Sequence, residues 1–296
     1  PLDRLSPSEA TEELQTLLNG FQTRRALPLA EALVARAPSE RLPALLLAET
    51  QAELGRYDEA WAGFQRAFER EPGLRQQLSS RRYQVLQAYA EQTSWRGEPL
   101  PARWEQALGG HWRVEPGGEV VGTGGGLGTY ELTALFDREA PTAPGYRLEV
   151  EVNRDPQGEG PALQAYAGVI LGARSRGDFF TVFFVQNRRE TDGMLAERGG
   201  AAAYRETHGV EPVVVRVTHQ DGPRWRFPAE GGRLVPPQRG PWSKLALEVD
   251  GSRLQAWVDG EPVLDLQLAR PLDGRVGLLK YYVHEFRYRN WTVTPR

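Results

Sequence analysis

The residues best suited to chemistry lie in the segment Glu149-Val-Glu-Val-Asn153. If this segment is a strand, successive side chains alternate between its two faces, so Glu149, Glu151 and Asn153 share one face. Paired carboxyl groups are the apparatus of glycoside hydrolysis, one acting as nucleophile and the other as proton donor. The same groups also accept hydrogen bonds from a bound ligand. The segment therefore predicts a polar strand face that serves either catalysis or binding.

A second polar face is predicted near the end of the chain. Alternation places Lys280, Tyr282 and His284 on one side of a strand, with Tyr281 and Val283 on the other. An aromatic ring beside two hydrogen-bond donors suits a sugar, because rings stack on its C–H faces and donors bind its hydroxyls. The alternative is a solvated strand face without a ligand.

Other residue types give weaker signals. Trp225 stands between Gly- and Pro-rich turns and is flanked by arginines, so it is either an exposed platform for a ligand or a plug beneath its loop. The four histidines are far apart in sequence, and none pairs with another at the spacing of metal ligands. Asp250-Gly251 and Asp259-Gly260 are expected to be hairpin turns rather than calcium ligands. We therefore expect no metal and no cofactor.

Composition limits the classes of function. The 296 residues exceed the usual size of one domain, and the hydrophobic fraction of 40% is that of a globular protein. The net charge is −3 and the cations are scattered, so a nucleic-acid partner is not expected. No apolar run is long enough to cross a bilayer, so membrane insertion of this stretch is not expected. The chain has no cysteine, which excludes disulfides and a cysteine nucleophile.

The N-terminal part is predicted to be helical. Residues 8–94 are rich in strong helix formers, and apolar residues recur at helical spacing. The segment 41–74 resembles a tetratricopeptide repeat, a helical hairpin of about 34 residues. The residues that carry this resemblance are Leu47, Ala48, Gly55, Tyr57, Ala60, Phe64, Ala67 and Pro72. A weaker repeat is expected over about 7–40 and a capping helix over 74–93, so the helical region is placed at 1–94.

Glycine and proline then interrupt the helical pattern, and a linker is expected at 95–111, with a short amphipathic turn over 102–108. Beyond it, β-branched and aromatic residues alternate with polar ones between turn residues. Such segments are 146–152, 179–185, 213–218, 244–249, 254–258 and 287–293. Many short strands separated by turns indicate a sandwich or barrel over 112–296.

The end of this β region carries a recognisable pattern. Residues 242–251 read Trp-Ser-Lys-Leu-Ala-Leu-Glu-Val-Asp-Gly, 254–263 read Leu-Gln-Ala-Trp-Val-Asp-Gly-Glu-Pro-Val, and 286–293 read Phe-Arg-Tyr-Arg-Asn-Trp-Thr-Val. The pattern resembles the concanavalin A-like lectin/glucanase superfamily, especially laminin-G-like and keto-disaccharide-hydrolase-type bacterial domains. The resemblance spans about 112–296 and implies a jelly roll with carbohydrate on its concave face or rim loops. It also implies that Trp242 and Trp257 lie mostly in the core.

The resemblance bears on catalysis as well. Glucanases of the superfamily carry their carboxylates in a Glu-x-Asp-x-Glu-like array, whereas this chain has Glu151 in the middle and Asn153 at the end. An asparagine cannot transfer the proton that a paired-carboxylate mechanism requires. The keto-disaccharide-hydrolase branch has a Gly-Asn-Ser-Gly segment, and residues 163–168 read Leu-Gln-Ala-Tyr-Ala-Gly instead. An enzyme is therefore the less favoured interpretation.

The sequence thus predicts a multidomain α plus β protein, with tetratricopeptide-like repeats before a concanavalin A-like β-sandwich. The favoured function is noncatalytic binding of a glycan or a protein surface, with the repeats used for docking. The alternatives are a glycoside hydrolase and a structural scaffold for protein assembly. Candidate binding residues are Glu149, Glu151, Asn153, Trp225, Lys280, Tyr282 and His284. Because the chain begins at Pro1, an upstream segment is expected. Localisation stays open, and the cell envelope and the exterior of the cell are the two locations considered.

Overall fold

A computed structural model of the chain describes residues 5–71, 73, 100–126, 132–153, 165–186, 188–228, 230–237, 240–281 and 284–296. In its N-terminal part, four helices follow one another with short connections. They are α1 (Pro7–Asn19), α2 (Thr23–Arg36), α3 (Arg41–Glu53) and α4 (Tyr57–Arg70). The expected capping helix at 74–93 lies outside the described residues.

Local chemistry and small side chains explain the helical part. The first helix begins at a capping box, in which the backbone N–H of Ser6 donates to the Glu9 carboxylate at 2.8 Å. Each helix packs on the next, and buried alanines such as Ala30 and Ala48 allow close approach. The assignment of these helices as tetratricopeptide repeats stays a prediction. None of the helices among the described residues is long and apolar enough to cross a membrane.

The rest of the described chain forms two antiparallel sheets. One sheet has seven strands. Its strands, in spatial order, are β13 (Glu261–Gln267), β12 (Arg253–Val258), β11 (Trp242–Asp250), β5 (Gly145–Asn153), β15 (Phe286–Pro295), β3 (Val120–Gly126) and β2 (Gly109–Val114). The central strand β5 pairs with β11 on one side and β15 on the other, so its side chains are surrounded on both flanks.

The second sheet has eight strands. Seven of them lie in the order β1 (Trp104–Ala107), β4 (Thr133–Asp137), β14 (Arg275–Tyr281), β6 (Ala165–Ser175), β7 (Asp178–Gln186), β8 (Val214–Asp221) and β10 (Gly232–Leu234), and β9 (Arg224–Arg226) also pairs with β8. Two helices, α5 (Arg188–Met194) and α6 (Gly200–His208), and a 3-10 helix, Ala196–Arg198, connect β7 to β8.

The two sheets pack face to face around one hydrophobic core. Alternation directs Leu148, Val150 and Val152 of β5 inward, where they join residues such as Val169 and Val182 of the opposite sheet. The predicted strand segments all coincide with strands of these sheets. The structure therefore confirms a β-sandwich of the jelly-roll kind.

The sandwich begins earlier in the chain than expected. Residues 104–111 were placed in a linker, but they form β1 and the start of β2. Trp104 is buried in the core, with its ring centroid 5.9 Å from that of Trp291. A four-residue strand is too short to show a clear period, and Gly109 and Gly110, with φ of 70° and 77°, turn the chain from one sheet to the other. The predicted turn over 102–108 is therefore wrong.

The helical part packs against the outer side of the eight-stranded sheet, which we define as the apolar face. Phe21, between α1 and α2, is completely buried, and its ring centroid lies 4.9 Å from that of Phe136 and 6.1 Å from that of Phe179. Other buried residues of the apolar face are Ala134, Ile170, Phe183, Val185, Val214, Leu279 and Tyr281. Phe21 therefore adds a helical-region side chain to the hydrophobic cluster of the sheet.

Polar contacts reinforce this junction. Arg176 donates to the carboxylate of Glu53, whose side chain is buried at the end of α3. Arg275 of β14 donates to Glu105 Oε2 at 2.7 Å, and the backbone N–H of Arg24 in α2 donates to Glu105 Oε1 at 3.3 Å. Because these contacts join the two parts of the chain, the helices and the sandwich stabilise each other.

Candidate functional site

The three polar residues that were predicted to share a strand face do so. Glu149, Glu151 and Asn153 point away from the core, because Val150 and Val152 between them are buried in it. We define the outer side of the seven-stranded sheet as the polar face. Its central residues are Arg147, Glu149, Glu151, Asn153, Trp242, Lys244, Ala246, Glu248, Trp257, Arg289 and Asn290.

Two cations hold Glu149. Arg147 donates to Glu149 Oε1 from Nε at 3.0 Å and from Nη2 at 2.7 Å. The Nζ of Lys244 lies 2.7 Å from Glu149 Oε2. The hydrogen bonds from Lys244 and Arg147 lower the pKa of Glu149, so this side chain is ionised at neutral pH.

Glu151 is held by a β-bulge. The pairing of β15 with β5 shifts register between Arg289 and Thr292, and Asn290 adopts a left-handed conformation with φ of 55°. As a result Asn290 Nδ2 donates to Glu151 Oε1 and Arg289 Nε donates to Oε2, each at 2.7 Å. The hydrogen bonds from Asn290 and Arg289 lower the pKa of Glu151. The bulge thus brings two neighbouring residues onto one carboxylate.

Trp242 and Trp257 lie on the same face, and the expectation that they are core residues is wrong. Trp242 is opposite Asn153, and the Arg289 guanidinium lies 4.1 Å from the centroid of its ring. Trp257 is opposite the small residue Ala246, and both tryptophans are partly exposed. Strand alternation carried the signal, because Ala256 and Val258 on either side of Trp257 are buried, as are Ser243 and Leu245 on the other face of β11 from Trp242. The polar face therefore combines aromatic rings with fixed polar groups.

The two carboxylates do not have the unequal environments of a catalytic pair. A glycosidase keeps one carboxyl group protonated by raising its pKa, so that it can donate a proton to the leaving group. Here hydrogen bonds lower the pKa of both Glu149 and Glu151. The arrangement therefore presents two ionised hydrogen-bond acceptors, which suits binding better than proton transfer.

Trp225 lies elsewhere, on the apolar face. Its ring packs edge-on against Phe179, with 5.7 Å between centroids, and lies 6.1 Å from the ring of Tyr281. The ring thus packs on the sheet while it stays partly exposed, and the choice between a plug and a ligand platform stays a prediction. The structure does not bring Trp225 together with the residues of the polar face.

Lys280 and His284 lie in the interior rather than on an open strand face. Lys280 is completely buried between the sheets, where its Nζ donates to the carbonyl of Gly124. The space it fills exists because Gly122 has no side chain, since a Cβ there would lie 2.9 Å from Lys280 Cδ. His284 is also buried. Tyr282 lies outside the described residues, so the predicted three-residue face is not assembled as an open site.

His219 is not isolated, contrary to its appearance in the sequence. Its Nε2 lies 3.1 Å from Asp178 Oδ1, and its ring stacks on Phe180 with 4.0 Å between centroids. Arg270 Nε donates to the same oxygen of Asp178 at 2.7 Å and Arg270 Nη2 donates to the carbonyl of Gly172 at 2.9 Å. The cluster ties the start of β7 to the end of β8 and to the connection before β14.

The Asp-Gly pairs are turns, as predicted. Asp259 and Gly260 have φ of 51° and 89°, and the carboxylate of Asp259 accepts the backbone N–H of Lys244 at 2.8 Å. Gly251 has φ of 60°. Within the described ranges, no group of three or more His, Asp or Glu side chains is placed to hold a metal ion.

No protein-family model matches the sequence, and no curated protein matches it. Among solved structures, the chain is similar to the carbohydrate binding module CBM66 from Bacillus subtilis, with 13% identity, a TM-score of 0.46, and 66% of this chain and 99% of that chain covered. It is also similar to a legume lectin-like domain from Entamoeba histolytica, with 10% identity, a TM-score of 0.42 and coverage of 66% and 90%. A third similar structure is the GH43 BlXynB protein from Bacillus licheniformis, with 10% identity, a TM-score of 0.45 and coverage of 68% and 38%. At these identities the similarity concerns the fold alone.

Proposed function

We propose that this protein binds carbohydrate without turning it over, and that the carbohydrate lies on the polar face. The observation that supports this proposal is the placement of Trp242 and Trp257, both partly exposed, beside the ordered polar side chains of Glu149 and Glu151. Sugars are recognised by aromatic rings that stack on their C–H faces and by polar groups that bind their hydroxyls. The polar face offers both kinds of group on one surface.

The enclosure of these polar groups in hydrogen bonds also supports binding. Glu149 and Glu151 are already oriented by Arg147, Lys244 and Arg289, so little side-chain entropy remains to be lost when a ligand arrives. A carboxylate oxygen accepts more than one hydrogen bond, so a sugar hydroxyl can add to these contacts. The polar face is thus organised before the ligand binds.

The alternatives are less well supported. A glycoside hydrolase needs a protonated carboxylic acid, and the hydrogen bonds on Glu149 and Glu151 keep both ionised. In the described residues the helices contact the sandwich through residues such as Phe21, Arg24 and Glu53, and Phe21 covers part of the apolar face. Docking of a protein partner on tetratricopeptide-like repeats stays a prediction.

The test is a glycan array with the full chain, followed by titration calorimetry with the glycans that bind. Replacing Trp242 or Trp257 by Ala should weaken binding about tenfold or more, equivalent to about 1.4 kcal/mol, because each ring supplies stacking area. Trp225→Ala is the matched control, since it removes a partly exposed tryptophan from the opposite sheet. Its dissociation constant should equal that of the unchanged protein.

Other outcomes would contradict the proposal. Loss of affinity in Trp225→Ala alone would place the ligand on the apolar face. Release of reducing sugar by the unchanged protein, abolished in both Glu149→Gln and Glu151→Gln, would establish the hydrolase alternative. Binding of a protein partner together with no binding to any glycan would favour the scaffold alternative.

A further inference from the structure

The carboxylates of the polar face form ion pairs with cations of the same face. Glu248 Oε1 lies 2.6 Å from Arg147 Nη1, and Glu248 Oε2 lies 2.7 Å from Arg296 Nη1. At the edge of the sheet, Asp265 meets Arg253 at 2.7 Å. Together with the partners of Glu149 and Glu151, these contacts give each of these carboxylates a cation. The face therefore presents many polar groups and little net charge.

This charge pattern selects the ligand. A charged glycan would have to displace an ion-pair partner, and no excess of one sign draws it to the surface. A hydroxyl group of a neutral sugar adds a hydrogen bond and leaves the ion pairs intact. We infer that the ligand of the polar face is an uncharged glycan chain that spans both indole rings. The inference rests on the proposed carbohydrate-binding function and specifies its ligand class.

The spacing of the rings is the reason for a chain rather than a single sugar. Trp242 and Ala246 lie four residues apart on β11, and Trp257 is directly opposite Ala246 on β12. At about 3.3 Å per residue, the backbone positions of the two tryptophans are about 13 Å apart along the strand. This distance exceeds the width of one pyranose ring, so we expect one sugar to stack on one of the two rings. Lys244 lies between the two tryptophan positions on β11, and Glu149 and Glu151 lie beside this path on the neighbouring strand β5.

The bulge in β15 orients the side chains at one end of the proposed glycan-binding path, the end at Trp242. Asn290 is held in the left-handed conformation and binds Glu151, while Arg289 contacts both Glu151 and the ring of Trp242. A strained residue held by its surroundings is a recurrent feature of binding sites. The end at Trp242 therefore has a cation on its ring that is itself bound to Glu151, whereas Trp257 lies opposite the small residue Ala246.

The experiment measures the affinity of the full chain for two ligand series. The first consists of neutral oligosaccharides from β-glucan, xylan and fructan, from a single sugar to a hexasaccharide. The second consists of oligogalacturonates and sulfated oligosaccharides of the same lengths. Each titration is repeated between about 0.1 M and about 1 M salt, where the screening length falls from about 10 Å to about 3 Å.

We expect affinity for a neutral series to rise at least about tenfold with length and to change little with salt, as the chain reaches the second ring. Trp257→Ala should remove this gain and leave the shortest ligands unaffected, whereas Trp257→Phe, which keeps a flat ring, should retain most of it. Trp225→Ala is the control for the loss of a tryptophan on the other sheet. Circular dichroism confirms that each variant is folded.

The results that overturn the inference differ from those that overturn the proposed function. The inference fails if a single sugar binds as tightly as the hexasaccharide, or if a charged series binds more tightly and loses affinity with salt. The proposed function fails, and the inference with it, if no glycan binds or if neither Trp242→Ala nor Trp257→Ala changes any dissociation constant.

Discussion

The two outer faces of the sandwich follow the same alternation of side chains and have opposite chemistry. The apolar face of the eight-stranded sheet carries buried residues such as Ile170 and Phe183, and Phe21 of the helical region packs into it. The polar face of the seven-stranded sheet carries ion pairs such as Glu149 with Lys244. An antiparallel sheet needs a cover on a face only where that face is apolar.

This difference in chemistry determines which of the two faces is accessible to a ligand. Water would be in contact with Phe136 and Phe179 if Phe21 were absent, so the helices remove apolar surface from solvent. The ion pairs of the polar face are stable in water, and this face needs no cover. It is therefore the face on which polar groups and half-exposed rings stay accessible to a ligand.

The largest expected effect comes from removing the side chain that joins the helices to the apolar face. Phe21 is completely buried, so Phe21→Ala should lower the free energy of unfolding by about 3–5 kcal/mol. Urea denaturation followed by circular dichroism and by tryptophan fluorescence measures the change. The two signals should shift together, because the helices and the sandwich share the junction.

Phe227→Ala is the matched control for Phe21→Ala. Phe227 is 57% exposed, so the same truncation should change the free energy of unfolding by less than about 0.5 kcal/mol. Equal costs for the two variants would mean that the helices do not stabilise the sandwich through Phe21.

Much of the fold could be predicted because long segments carried a clear period. β5 and β11 each alternate over nine residues, and Asp-Gly sequences occur at the ends of β11 and β12, so strands and hairpins were both recognisable. The start of the sandwich was missed because β1 has only four residues and its neighbour Gly109 resembles a linker residue. Contacts over long sequence distances, such as Phe21 with Phe136, leave no local signal.

The candidate site was predicted in part, for physical reasons that differ between its residues. Alternation placed Glu149 and Glu151 on one face correctly, and the same rule applied to Trp242 would have placed it there too. The bulge at Asn290 was not predictable, because it depends on pairing with β5. The burial of Lys280 also depends on pairing, since it needs the missing side chain of Gly122.

The second-largest loss of stability is expected from replacing a buried carboxylate. Asp137 at the end of β4 accepts hydrogen bonds from Arg103 Nη2 at 2.7 Å and from Trp291 Nε1 at 2.8 Å, so it joins the two sheets. Asp137→Asn keeps the shape and removes the negative charge, which leaves Arg103 only the longer ion pair with Glu139 at 3.9 Å. The free energy of unfolding should fall by about 1.5–3 kcal/mol at neutral pH, as measured by urea denaturation.

The pH dependence of that cost tests the cause. Burial alone would raise the pKa of Asp137, but the hydrogen bonds from Arg103, Trp291 and the backbone of Glu139 hold it below its usual value. A carboxylate whose pKa is lower in the folded state contributes stability above its unfolded pKa of about 3.9 and loses it as the pH falls through the folded pKa. The difference in free energy of unfolding between the unchanged protein and Asp137→Asn should therefore become smaller below about pH 4. A constant difference down to about pH 2 would show that shape, rather than charge, sets the cost.

The smallest effect is expected on the polar face, where neutralising one carboxylate should hardly change stability. Glu149→Gln removes an ion pair that water already screens, and exposed pairs contribute about 0.2–1 kcal/mol. Arg147 keeps a partner, because its Nη1 also lies 2.6 Å from Glu248 Oε1. Glu248→Gln, which removes the other carboxylate on Arg147, is the matched variant and should behave in the same way. Urea denaturation at low and high salt measures both variants. If either variant cost as much as Asp137→Asn, the polar face would be a structural network like the sheet junction at Asp137, and the contrast between a covered face and an open one would not hold.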